Sequence, residues 1–191
     1  MAMLRMAAVA ALVSVALLSG CGKTRKEFER QLDICAVGEN NGVLTAAADA
    51  CGNALDIARQ NDFPPDDISD LEYRLGQIAR KQGRFEHAEA LVRASLDFES
   101  QMSDPAGVAS RLVELSLSLA GQDRWEKGAE LLDRAEPHVR ELDGDERSAA
   151  ANALRGYAAQ FGKQGDADAA ARFRVLAQEL DLPINENTAV P

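Results

Sequence analysis

The chain has 191 residues, a formal net charge of -10 and an aromatic content of 5%. So acidic a chain lacks the basic surface that binding to phosphates demands, which excludes nucleic acid as an expected partner and disfavours broad contact with an anionic membrane. The few aromatic and many alanine residues favour helices packed closely through small side chains, so we expect an all-α protein.

The first predicted element is an N-terminal export signal. Arg5 precedes an apolar run, residues 6–18, which is too short to span a bilayer because a spanning helix needs about 20 residues. The run ends in Leu18-Ser19-Gly20-Cys21, which resembles the lipobox of bacterial lipoproteins. This resemblance implies cleavage before Cys21 and diacylglyceryl and acyl chains on that residue. An ordinary secretory peptide that happens to contain a cysteine is the alternative.

The resemblance also implies a location. Gly22 follows the lipidated cysteine, whereas an Asp is associated with retention in the inner membrane, so we expect an outer-membrane lipoprotein that faces the periplasm. Removal of residues 1–20 takes away a single charge, Arg5, and leaves 171 residues with a formal charge of -11. We expect residues 21–27 to form the lipidated anchor and a short linker, with Lys23, Arg25 and Lys26 beside the membrane.

A repeated pattern of small and apolar residues follows, over residues 28–180. In one copy it reads Leu75-Gly76, Ala79, Gly83, Phe85, Ala88, Val92 and Ser95-Leu96, which predicts two successive helices with a shared contact face. Equivalent positions at the start of each second helix are Leu44, Phe85, Trp125 and Ala167, which lie 41, 40 and 42 residues apart.

These spacings resemble the tetratricopeptide repeat, although the standard repeat has about 34 residues. The resemblance implies a right-handed α-solenoid of about four helical hairpins, each with an A helix and a B helix. A generic array of α-hairpins is the alternative. Segments 61–67, 103–105 and 142–145 are expected to separate the hairpins and to supply acidic N-caps.

Individual residues depart from the repeat. Asp123 replaces the glycine of the turn between two helices. Arg174 replaces an apolar residue in the last hairpin, as is expected for a terminal repeat whose outer face is exposed to solvent. Pro137 ends the third B helix near Ala135 or kinks it. Residues 181–191 contain two prolines, two asparagines and no periodicity, so we expect a disordered tail.

Two cysteines remain after the anchor. In the repeat register Cys35 corresponds to Gly76 and Cys51 to Val92, positions that face each other inside one hairpin. Because an exported chain meets an oxidising compartment, we expect a disulfide between them. The alternative is a pair of buried thiols that act as small hydrophobic residues.

The sequence contains no recognisable catalytic or metal-binding pattern. His87 and His138 each stand alone, and the acidic clusters at residues 66–67 and 143–146 lack the alternating ligands of a calcium loop. We therefore expect no catalytic residues, no metal, no small-molecule substrate and no cofactor other than the lipid on Cys21.

The resemblance to tetratricopeptide arrays places ligand binding on the concave surface, at set positions of each A helix. The corresponding residues here are Tyr73, Gln77, Arg80, Lys81, Val113, Leu117, Ala120, Arg155, Ala159, Gly162 and Lys163. Four of these are cations, Arg80, Lys81, Arg155 and Lys163, which predicts a basic groove for a peptide that bears carboxylates.

Together these features predict a non-catalytic, lipid-anchored scaffold or adaptor that binds a protein or peptide partner in the periplasm through the groove. The alternative is an inhibitor or immunity-type lipoprotein that neutralises a periplasmic toxin through its acidic surface.

Overall fold

The computed structural model describes residues 22–102 and 104–182. They fold into helices joined by short turns, with no strand in the described part of the chain. The helices are α1 (described from residue 22 to 40), α2 (Leu44–Gln60), α3 (Pro65–Lys81), α4 (Phe85–Glu99), α5 (Pro105–Ala120), α6 (Trp125–Ala135), α7 (Gly144–Gln164) and α8 (Ala167–Asp181), with a 3-10 turn at Val139–Glu141. The predicted anchor at Cys21 and residues 183–191 of the predicted tail lie outside the described residues.

The helices pair as four consecutive hairpins that stack into an α-solenoid, so the predicted fold class is confirmed. The A helices are α1, α3, α5 and α7, and the B helices are α2, α4, α6 and α8. The B helices begin at the four residues that the repeat register predicts. Residues 22–27, expected as a linker, are part of α1. None of the helices in the described ranges is long and apolar enough to cross a membrane.

Each hairpin closes with the same turn. The residue two positions before each B helix has a positive φ: Gly42 (70°), Gly83 (76°), Asp123 (56°) and Gly165 (86°). The next residue donates its backbone N–H to the carbonyl five positions earlier, as in Arg84 to Ala79 (2.9 Å) and Arg124 to Leu119 (2.9 Å). This is the Schellman arrangement, which requires a left-handed residue. Asp123 fills that role without being glycine because aspartate tolerates the left-handed region better than most residues.

The starts of the A helices differ in part from expectation. Pro65 and Pro105 occupy the first turn, where a missing N–H costs nothing. Asp104 and Asp143 stand at the N-cap positions of α5 and α7, but neither side chain accepts a capping hydrogen bond, and the N-cap of α3 is Pro64. The prediction of acidic N-caps before each A helix is therefore wrong for α3. For α5 and α7 the position is right but the capping bond is missing.

The buried side chains form two apolar clusters. The first includes Phe28, Cys35 and Ile78 and lies in α1, α2 and the inner face of α3. The second extends from Val92 to Leu180 across the remaining helices. Arg174 is exposed as predicted, because α8 turns the preceding Phe173 into the core instead. Helix α6 ends at Ala135, just before Pro137, so the termination alternative holds rather than the kink.

A polar seam lies where α3, α4 and α5 meet. The hydroxyls of Ser69 and Ser95 are 2.9 Å apart, and the Arg111 guanidinium donates to the Ser95 hydroxyl at 3.2 Å. Arg111 is buried and also pairs with Asp70 (2.8 Å) and Glu99 (3.3 Å). A buried charge is tolerated only when it is paired and hydrogen-bonded. The seam therefore fixes how the second hairpin meets the third.

Candidate functional site: the groove across the A helices

One groove runs across all four A helices and has a volume of about 480 Å³. No B helix contributes to its lining. Its lining residues are Glu39 and Asn40 from α1; Tyr73, Gln77, Arg80 and Lys81 from α3; Ser110, Val113 and Glu114 from α5; and Asp145, Glu146 and Ala149 from α7.

The groove crosses the A helices obliquely. On α1 it is lined by the last turn, at Glu39 and Asn40, which the repeat register aligns with Arg80 and Lys81 of α3. On α7 it is lined by the first turns. Ala149 of α7 aligns with Asp67 of α3, a position closer to the N-terminus of its helix than any α3 residue that lines the groove. The path thus moves toward the N-terminal end of each successive A helix. This follows from the small rotation that each hairpin of a solenoid adds to the one before it.

Five of the eleven predicted groove residues line this groove: Tyr73, Gln77, Arg80, Lys81 and Val113. The other six do not: Leu117, Ala120, Arg155, Ala159, Gly162 and Lys163. Leu117 is half-buried and packs against the larger apolar cluster. Arg155 is paired with Asp181 of α8 at 2.8 Å, and Lys163 is exposed in the last turn of α7. Equivalent A-helix positions would line the groove in every repeat only if successive hairpins stacked without rotation.

The predicted basic character of the groove is corrected by its lining. Two of the four expected cations, Arg80 and Lys81, are present, but they face four carboxylates, those of Glu39, Glu114, Asp145 and Glu146. The repeat register points to Glu39, which aligns with Arg80, but it gave no signal for Glu114, Asp145 or Glu146. The sequence could indicate that Asp145 and Glu146 are acidic residues in the first turn of α7, where carboxylates interact favourably with the helix dipole. It could not indicate that they line the groove.

Arg80 is neutralised within the protein. Its guanidinium forms a two-armed ion pair with Glu114, one arm of which is a hydrogen bond of 3.3 Å from Nη2 to Oε2. Glu114 is buried, and burial raises the pKa of its carboxyl despite the opposing effect of Arg80. Next to this pair, Arg74 Nε of α3 donates a hydrogen bond to Glu39 Oε2 of α1 at 2.5 Å. Both pairs link neighbouring A helices, so they hold the groove walls together.

The α7 end of the groove differs from the centre. Glu146 is half-buried, and burial raises the pKa of its carboxyl although Arg111 and the hydroxyls of Ser110 and Tyr73 oppose that effect. Burial and the charge of Glu146 raise the pKa of Tyr73 to about 12, so its hydroxyl stays protonated at neutral pH. The Tyr73 ring also packs against the Arg111 guanidinium, 4.5 Å from the ring centroid. The seam thus supports the groove floor from beneath.

The other predicted sites are placed as follows. Cys35 and Cys51 form a disulfide between α1 and α2, with Cα atoms 5.3 Å apart. At the equivalent place in the second hairpin, Gly76 has no room for a Cβ because Val92 fills the space. His87 is exposed, and His138 Nδ1 lies 2.8 Å from Glu141. No group of three or more His, Cys, Asp and Glu side chains suited to a metal occurs in residues 22–102 and 104–182.

Comparison with known proteins supports the fold and goes no further. No protein-family model matches the chain, and no curated protein matches its sequence. Among solved structures, a MamA double mutant ("MamA RS-1 ArsTM double mutant") is similar with a TM-score of 0.59 and 18% identity, over 81% of this chain and 75% of that one. BtubC (BKLC) from P. vanneervenii is similar with a TM-score of 0.62 and 19% identity, over 83% of this chain and 66% of that one, just under two thirds of its length. At such identities the likeness concerns the fold alone, an α-solenoid of tetratricopeptide-like hairpins.

Proposed function

We propose that this protein is a non-catalytic adaptor that holds a segment of another envelope protein in the groove, while a lipid on Cys21 anchors it to the periplasmic side of the outer membrane. The observation that carries the proposal is the groove itself. Its volume of about 480 Å³ lies within the range of pockets that hold a ligand, and each A helix contributes to its lining. A surface assembled from every repeat is what a solenoid uses to bind an extended partner.

The anchor rests on the segment from Arg5 to Cys21. Two or more acyl chains give stable anchoring, since each buried CH₂ adds about 0.8 kcal/mol and a single chain binds only marginally. We expect Cys21→Ala to release the protein from the membrane. Fractionation after a high-salt wash measures this, and a variant that still sediments with outer membranes would contradict the lipid anchor.

Site-specific cross-linking in the cell tests the groove. A photo-reactive residue in place of Gln77, on the groove wall, should capture a partner. The same residue in place of Glu130, exposed on α6, is the matched control and should capture little. Peptide mapping of the captured protein then gives the bound segment. Capture from Glu130 alone would overturn the adaptor proposal and would favour the inhibitor alternative, which binds through the acidic outer surface.

A further inference from the structure

We infer that the segment held in the groove carries a lysine or arginine side chain that enters the α7 end, against Glu146, Ser110 and Tyr73. This inference rests on the proposed function and names the chemistry of its partner. It reverses the charge expected from the sequence, which pointed to a partner bearing carboxylates.

The argument begins with the charges that the protein leaves available. In the centre of the groove Arg80 is paired with Glu114, and at the α1 wall Glu39 is paired with Arg74. These pairs are internal, so a ligand charge that competed for them would first have to break an existing bond. The remaining charged residues of the lining are Lys81 at the end of α3 and the two acids Asp145 and Glu146 on α7.

Glu146 is the group best placed to select a cation. It is half-buried between the α5 and α7 walls, whereas Asp145 beside it is exposed. Arg111 lies near enough for its charge to favour the ionised form of Glu146, but its ion pairs are with Asp70 and Glu99, and no ion pair within 4.0 Å joins Glu146 to a cation in the described ranges. Burial therefore disfavours its charged form, and a cation delivered by a ligand would relieve that cost.

The surroundings of Glu146 supply the rest of an ammonium or guanidinium site. The hydroxyls of Tyr73 and Ser110 donate hydrogen bonds to the carboxylate, and the Ser110 oxygen also accepts one from Arg111 at 3.4 Å. The Tyr73 oxygen keeps lone pairs that can accept a hydrogen bond from a cationic head group. Val113 and Ala149, which also line the groove, offer apolar surface to the methylene stem of the same side chain. A carboxylate ligand at this end would face Asp145 and Glu146, and like charges across an interface are unfavourable.

The experiment uses the full-length, lipid-anchored protein in detergent micelles and three amidated nonapeptides with the same Gly- and Ser-rich sequence. They differ only in a central Lys, Glu or Gln. Isotope-labelled amide spectra report the affinity and the site. We expect the Lys peptide to shift the Glu146, Ser110 and Tyr73 signals saturably and to bind on the order of fivefold more tightly than the Gln peptide, as for a partly buried ion pair. The Glu peptide should bind most weakly.

Charge-neutral variants complete the test. Glu146→Gln should remove the advantage of the Lys peptide, whereas Glu130→Gln, which removes the same charge from α6, should keep it. Equal affinities for the three peptides, a preference for Glu, or an unchanged preference in Glu146→Gln would each overturn the inference. Capture from Gln77 of a segment that lacks Lys and Arg would also overturn it while leaving the adaptor function in place. Failure of capture at Gln77 would instead remove the adaptor function on which the inference rests.

Discussion

Loss of the Cys35–Cys51 bond should destabilise the first hairpin far more than the rest of the solenoid. The bond joins α1 to α2 across a sequence separation of 16 residues, and both sulfurs are fully buried. This hairpin has a neighbouring hairpin on one side only within the described chain, because α2 packs on α3 and nothing described precedes α1. It therefore depends on the cross-link more than an internal hairpin would.

The magnitude follows from the length of the closed loop. A loop of 16 residues confines the unfolded chain enough to give about 3 kcal/mol of stability in the chain-entropy model. That is a large share of the roughly 5–15 kcal/mol that separates a folded domain from its unfolded chain. In a solenoid, stability is a sum of repeat and interface contributions, so the loss should appear first as local opening of α1 and α2.

Two comparisons separate the cross-link from packing. Reduction of the native protein breaks the bond but leaves both thiols to fill the core, whereas Cys35→Ala with Cys51→Ala also leaves a cavity. Urea unfolding should show a loss of about 3 kcal/mol on reduction and a larger loss in the double variant. Hydrogen exchange should localise the early opening to residues 22–60. Equal stability of the oxidised and reduced proteins, or early opening in α7 and α8 instead, would refute the reasoning.

The remaining predictions concern close packing and a buried charge. Gly128→Ala should lower the free energy of unfolding by about 1–3 kcal/mol because the new methyl group would clash with the hydroxyl of the buried Tyr157. Adding Tyr157→Phe to that variant should recover part of the loss in thermal unfolding. No recovery would contradict the clash. Gly156→Ala, where nothing lies within 4 Å, should instead stabilise the helix by up to about 1 kcal/mol; destabilisation there would show an unrecognised contact. Burial raises the pKa of Glu114 above its unfolded value, so its contribution to stability is present below the unfolded pKa and is lost as the pH rises through the folded pKa. Stability of the native protein relative to Glu114→Gln should therefore fall from pH 4 to pH 8 in urea titrations, and a rise would mean that the Arg80 pair outweighs burial.

Hairpin architecture was predictable because its determinants are local. Each turn needs one left-handed residue at a fixed distance before the B helix, and glycine at 42, 83 and 165 marks three of the four turns directly. Asp123 occupies the left-handed position of the fourth turn. The repeated pattern of small and apolar residues around it predicts that turn although the glycine is replaced. The disulfide was predictable for the same reason, since the repeat register alone places Cys35 opposite Cys51 within one hairpin.

The groove was predictable only in its middle. Residues of α3 were predicted because the second, third and fourth hairpins were assigned the same concave positions, and α3 lies where that assumption holds. At α7 the assumption places Arg155 in the groove, but the lining residues Asp145, Glu146 and Ala149 lie six to ten residues earlier on that helix, and Arg155 pairs with Asp181 instead.

The sequence by itself determined that the described chain forms helical hairpins of about 40 residues, where each turns and which cysteines meet, because these depend on contacts within one repeat. Only the tertiary structure decided the course and the charge of the groove. Those properties depend on the rotation between successive hairpins, which is set by side-chain packing at the junctions, such as Arg111 and Ser95 in the seam. That rotation accumulates from repeat to repeat, so it brings Glu146 of the fourth hairpin next to Tyr73 of the second, a proximity that spacing along the chain does not encode.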